Sequence, residues 1–174
     1  MNKNNTVVLT VIVAALGYFV DIYDLLLFSI VRVASLKDIG VAENQLLEKG
    51  VFLINVQMLG LLLGGLIWGV IGDRKGRLSV LFGSIFMYSL ANMANAFVSS
   101  VEFYAFWRFI AGIGLAGELG AGITLVAEIL PKEKRGLGTT IVASVGILGA
   151  VVGGLVGDFA PWRWAYAKIG RAHV

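Results

Sequence analysis

Hydrophobic and polar positions along this chain fall into long apolar runs separated by short charged breaks. The runs occupy residues 7–31, 51–71, 78–98, 103–130 and 137–160, and another begins at Trp164. Each complete run reaches the roughly 20 residues that an α-helix needs to cross a bilayer. Backbone groups in lipid find no water, so a spanning segment must satisfy its own N–H and C=O groups. A helix does this within one segment, whereas barrel strands of about 10 residues are too short to explain such runs. The pattern therefore predicts an all-α, polytopic membrane protein with five complete spans and an incomplete sixth.

Composition agrees with that reading. Of 174 residues 58% are hydrophobic and only 14% charged, too few charges to cover a soluble domain. The first run is too long for a cleaved signal peptide and holds Asp21 and Asp24, so it reads as a retained span. Cysteine is absent, His173 is the only histidine, and neither H-E-x-x-H nor G-x-S-x-G occurs. No catalytic residue, metal ligand or cofactor is expected from this set, which argues against an intramembrane enzyme.

The net charge of +3 sits in short breaks, as topology requires, and does not point to nucleic acid. One side collects Lys3, Arg74, Lys75, Arg77, Lys132, Lys134 and Arg135. The other holds Arg32, Lys37, Lys49 and Arg163, diluted by acids. The Lys/Arg bias makes the first side, with the N-terminus, cytoplasmic. The expected setting is a bacterial inner membrane, with the lipid bilayer as the surrounding partner.

Ionisable groups at membrane depth are costly and so mark function. Asp21 and Asp24 share one face of the first span at i, i+3 spacing. Arg108 lies near the outer end of the fourth span, at a depth similar to that of Asp24. An ion pair between them is expected, and a carboxylate that releases Arg on protonation is a ready element for coupling to protons. Glu118, Asn55 and Gln57 are candidates for a solute cavity; Asn55 and Gln57, two residues apart, cannot share a helix face. Asn92 and Asn95 add polarity to the third span.

Gly112, Gly114 and Gly117 match G-x-G-x-x-G, but inside an apolar span with no preceding strand this is a packing feature and not a dinucleotide fingerprint. Gly149, Gly153 and Gly157 repeat the small-x-x-x-small spacing that lets helices approach closely. Phe103, Tyr104, Trp107, Trp162 and Trp164 are expected in an interfacial aromatic belt.

The break at 69–77 reads Gly69-Val-Ile-Gly72-Asp73-Arg74-Lys75-Gly76-Arg77. This G-x-x-x-D-R-x-G-R resembles the loop between helices 2 and 3 of the major facilitator superfamily of secondary transporters. Two further stretches are similar to the same family: Arg108-Phe-Ile-Ala-Gly-Ile-Gly with Glu118 following, and Glu128-Ile-Leu-Pro131-Lys-Glu-Lys-Arg135-Gly136, which looks like the sugar porters and related organic-acid and metabolite symporters. Asp21-Ile-Tyr-Asp24 is similar to the D-G-[F/Y]-D of aromatic-acid/proton symporters, with Ile22 in place of glycine.

The resemblance implies the N-terminal six-helix bundle of a twelve-helix transporter, built of inverted repeats, with a second bundle missing here. It implies proton-coupled symport of a small organic solute such as an organic acid, sugar or related metabolite. An exporter or uniporter of the same fold remains open, although the Gly-Pro of the drug-efflux branch is absent from the fifth span. The family's cytoplasmic gate would fall on Gly69, Asp73, Arg74, Gly76, Arg77, Glu128 and Arg135. Gly72 and Gly76 are expected to make the turn, with Asp73 near the start of helix 3. Residues 169–174 are what a widely used short-read sequencing adapter encodes, so the bundle is assigned to 1–168 and the natural chain is expected to continue.

Overall fold

The computed structural model describes residues 3–159, 161–164 and 166, which contain no strand. Helices α1 (Lys3–Asp38), α2 (Leu46–Lys75), α3 (Arg77–Asn95), α4 (Val101–Ile129) and α5 (Arg135–Phe159) follow in order. All five contain stretches long and apolar enough to cross a membrane. A further helical turn covers residues 162–164, where the sixth span was expected; the 169–174 tail lies outside the described residues.

The helix ends follow local chemistry. α1 runs past the apolar stretch, through Arg32 and Lys37, and stops at Gly40 with φ 87°. The Gly40 N–H bonds the Lys37 carbonyl and the Val41 N–H bonds that of Leu36, both at 3.0 Å, which closes the helix with a left-handed glycine. Ser100 caps α4 by accepting from the Phe103 N–H at 3.2 Å. α4 stops because Pro131 drives Leu130 to an extended ψ of 142°.

The 69–77 break is not the turn that was expected. α2 continues through Arg74 and Lys75, and only Gly76, at φ 85° and ψ 156°, links it to α3. Gly72 is helical, and Asp73 lies in the last turn of α2 instead of at the start of α3. Extending the helix keeps the backbone of Gly72 and Asp73 hydrogen-bonded near the membrane, so one glycine is enough to reverse the chain.

The bundle is apolar outside and polar within. Phe82 and Phe86 are each 70% exposed, while Asp21, Asp24, Gln57, Arg108 and Glu118 are buried. That inversion suits lipid as the surrounding solvent. The closest crossings are the parallel pairs α1–α5 and α2–α4, with α3 antiparallel on α4. Exchanging the first and fourth helices and the second and fifth maps one parallel crossing onto the other, the pattern of an inverted repeat.

Glycines set these approaches. Gly149 abuts the Phe19 carbonyl, and a Cβ on Gly153 would lie 2.8 Å from that of Tyr23. In the G-x-G-x-x-G stretch, Gly112 abuts the Gln57 carbonyl, Gly114 the Tyr88 backbone and Gly117 the Ser84 and Trp68 side chains. The motif is thus a packing surface turned toward α2 and α3, as its apolar setting implied. The aromatic belt needs correction: Tyr104 is fully buried and Trp162 nearly so, both in a core with Leu27, Phe28 and Leu53, whereas Phe103 and Trp164 are exposed.

Candidate functional site

Asp24 and Arg108 meet at the centre of the bundle, each with 0% of its side chain exposed. Arg108 Nη1 lies 4.0 Å from Asp24 Oδ2, so the two are in ionic contact without a hydrogen bond. Each is drawn elsewhere. The Tyr88 hydroxyl of α3 donates to Asp24 Oδ2. Arg108 Nη2 donates to Gln57 Oε1 on α2, and its guanidinium lies over the Phe28 ring, 3.7 Å from the centroid. Asp24 Oδ1 and Arg108 Nε and Nη1 have no hydrogen-bond partner among the described residues.

This arrangement follows from helix periodicity. Asp24, Leu27, Phe28 and Val31 fall on one stripe of α1, and all are buried. Asp24 and Phe28 are one turn apart, so Arg108 meets a carboxylate and an aromatic face together. Tyr166 stands 5.9 Å from the guanidinium; its hydroxyl contacts that of Tyr104 at 2.6 Å, and Tyr104 contacts Ser35 at 3.1 Å.

Asp21 and Glu118 occupy a second place. Both line a cavity of about 270 Å³ between α1, α3, α4 and α5, on the side of Asp24 nearer the α2–α3 link. Asn55 stands apart from both places, exposed on α2, while Gln57 turns inward; the two-residue spacing separates their faces. Asn92 and Asn95 are buried on α3.

At the α2–α3 link, Arg77 lies between Asp73 at 3.7 Å and Glu128 at 3.8 Å. Gly72 gives it room: a Cβ there would lie 3.0 Å from Arg77 Nη1. Gly69 lines a small cavity beside Arg77, and Arg74 is exposed. Arg135 does not pair with Glu128; its Nε donates to the Leu130 carbonyl at 3.1 Å, where Pro131 interrupts the helix.

Sequence reasoning placed Asp24 opposite Arg108 but missed Tyr88, Phe28, Tyr104 and Tyr166. Phe28 was accessible through its i+4 relation to Asp24, and Tyr88 through its hydroxyl inside an apolar span.

The Major Facilitator Superfamily profile matches residues 7–170. The chain belongs to this superfamily. It is 32% identical over 147 residues to the niacin transporter NiaP of Acinetobacter baylyi, covering 84% of this chain and 33% of the relative. It is 33% identical over 117 residues to the inner membrane metabolite transport protein YgcS of Escherichia coli, covering 64% and 26%. With the 4-hydroxybenzoate transporter PcaK of Pseudomonas aeruginosa it shares 31% over 103 residues, covering 59% and 23%. Its fold matches the inward open xylose transporter XylE from E. coli at TM-score 0.81 and 19% identity, over 96% of this chain and 46% of that one. The chain thus spans between about a quarter and a third of the length of these curated relatives and just under half of the solved transporter.

Proposed function

We propose that this chain is the N-terminal bundle of a secondary active transporter that carries a small organic acid together with protons, by alternating access. It would work with a second bundle, in a bacterial inner membrane, with the α2–α3 link and the N-terminus on the cytoplasmic side. The observation that carries this reading is the buried Asp24–Arg108 contact at 4.0 Å, in which each group already has a competing partner.

Protonating Asp24 removes the charge that holds Arg108, while Gln57 and Phe28 remain to receive the guanidinium. Deprotonation restores the attraction. A two-position guanidinium at the bundle centre couples proton occupancy to local shape. Gln57, buried beside Arg108, is the closer candidate to meet an anionic solute, while Glu118 lines the separate cavity with Asp21. Asn55 faces away from both places.

The organic-acid class is supported by relatives. Niacin and 4-hydroxybenzoate are small aromatic acids, and proteins named for carrying them align with this chain. The gate role goes to Asp73, Arg77 and Glu128, whose ion contacts can part as the bundles move, with Gly69, Gly76, Arg74 and Arg135 as their surroundings.

The test is to reconstitute the complete transporter in liposomes, add niacin or 4-hydroxybenzoate, and follow external pH. Solute addition should alkalinise the medium, and collapsing the proton gradient should stop accumulation. Accumulation without any proton movement would refute the proton-coupled reading.

A further inference from the structure

We propose that Asp21 and Glu118 form a carboxyl pair that holds one proton between them, a second protonation site separate from Asp24. The proposal deepens the proton-coupled reading and rests on it for its role in transport, although the pair can be tested without transport.

Both side chains are nearly sealed from solvent, at 1% exposure for Asp21 and 4% for Glu118, yet both line the same cavity of about 270 Å³. Neither oxygen of Asp21 has a hydrogen-bond partner among the described residues. Glu118 is the other carboxyl lining this cavity, and a carboxyl can donate only when protonated. Gly17 makes the meeting possible: a Cβ there would lie 3.3 Å from Glu118 Oε1.

Among the described residues that line this cavity there is no cation. On α1, Ala14, Gly17 and Tyr18 line the cavity, and Asp24 adds a further acid one turn away. On α3 the lining is apolar, with Phe82 and Ile85 among it, and the Tyr88 hydroxyl is committed to Asp24. α4 contributes Glu118 itself; Arg108, ten residues earlier, is engaged by Asp24 and Gln57. α5 contributes Val142. Among the described residues no three His, Cys, Asp or Glu side chains converge to hold a metal ion.

Two carboxylates in such a place repel, and a single proton turns the repulsion into a hydrogen bond. The step balances simply. A hydronium ion gives its proton to one carboxylate oxygen and leaves as water. The new O–H donates to the other carboxylate, and the pair changes from two negative charges to one. Asp24 lies about 4.5 Å further along α1, one short step for a proton moving between the two sites.

The experiment is infrared difference titration of the carboxyl C=O bands of the complete transporter in lipid nanodiscs, for the wild type and the isosteric variants. The double variant Asp21→Asn/Glu118→Gln should lose one protonated-carboxyl band that Asp24→Asn retains. Each single variant should move the midpoint of the remaining member by about one pH unit or more, because the two titrate as a pair. A band untouched by the double variant, or single variants that leave each other's midpoint unmoved, would overturn the proposal. Loss of the band in Asp24→Asn alone would assign the proton to Asp24, which contradicts the pair while leaving the central reading intact. Displacement of the band by benzylammonium at constant pH would make this an organic-cation site and not a proton site. If the variants do not fold, ¹³C-glutamate labelling of the wild type decides. One glutamate and one aspartate band must titrate together, and independent midpoints contradict the pair.

Discussion

Replacing Arg108 by methionine removes the positive member of the central contact while keeping much of its apolar stem. At the observed 4.0 Å, two unit charges attract by about 4 kcal/mol at an effective dielectric of about 20. Stranding a buried charge costs about 3–5 kcal/mol in measured cases, so Arg108→Met should destabilise the bundle by about that amount. Asp24→Asn strands the guanidinium in the same way, though Gln57 and Phe28 still hold it, so its cost should be smaller. The double variant should then cost about 4 kcal/mol less than the sum of the singles. Reversible unfolding of the chain in mixed detergent micelles, arranged as a double-mutant cycle, measures that difference. Polar contacts between membrane helices average only about 0.6 kcal/mol in such cycles. A coupling near that value would mean that the two charges do not act as a pair, and the reasoning from 4.0 Å would fail.

Tyr88→Phe removes the hydroxyl donated to Asp24 and should cost about 1–3 kcal/mol in the same assay, with the fold retained. Gly112→Val drives a side chain into the Gln57 carbonyl and should cost about 1–3 kcal/mol or more, whereas Gly65→Ala, facing open space, should change stability by no more than about 0.5 kcal/mol. Gly76→Ala places a Cβ at φ 85° and ψ 156°, a region nearly reserved for glycine, and should cost about 1–3 kcal/mol. Arg77→Ala breaks only part-exposed contacts at 3.7 and 3.8 Å, so it should cost under about 1 kcal/mol of stability; a large loss would show that the link is structural and not a gate.

The spans were legible because lipid forces apolar length and internal hydrogen bonding, and both leave a plain record in the residues. Asp24 and Arg108 were legible because charge is rare at that depth, and chain direction places them level. The 69–77 stretch misled because charge and glycine suggest a loop, while a helix nearing the membrane surface carries both without losing a backbone bond. Phe28 and Tyr104 were hidden for another reason. In a soluble helix, polar residues on the outer face mark which aromatics turn inward. Here the lipid-facing side is as apolar as the core: Phe82 and Phe86 point outward and Phe28 inward with the same composition around them. Asn55 and Gln57 show the resolvable case, since two residues of helical rotation separate a lone exposed amide from one that holds the arginine.

In the proposed mechanism Asp24 works by changing charge against Arg108. The complete transporter carrying Asp24→Asn, reconstituted in liposomes, tests it through two radiolabelled fluxes of the same small aromatic acid. Asparagine keeps the size of the carboxyl but fixes it as neutral. Net uptake driven by a proton gradient should therefore fall to background, while exchange of internal for external solute, which needs no change of protonation, should persist. Net proton-driven uptake at wild-type level in this variant would contradict the account.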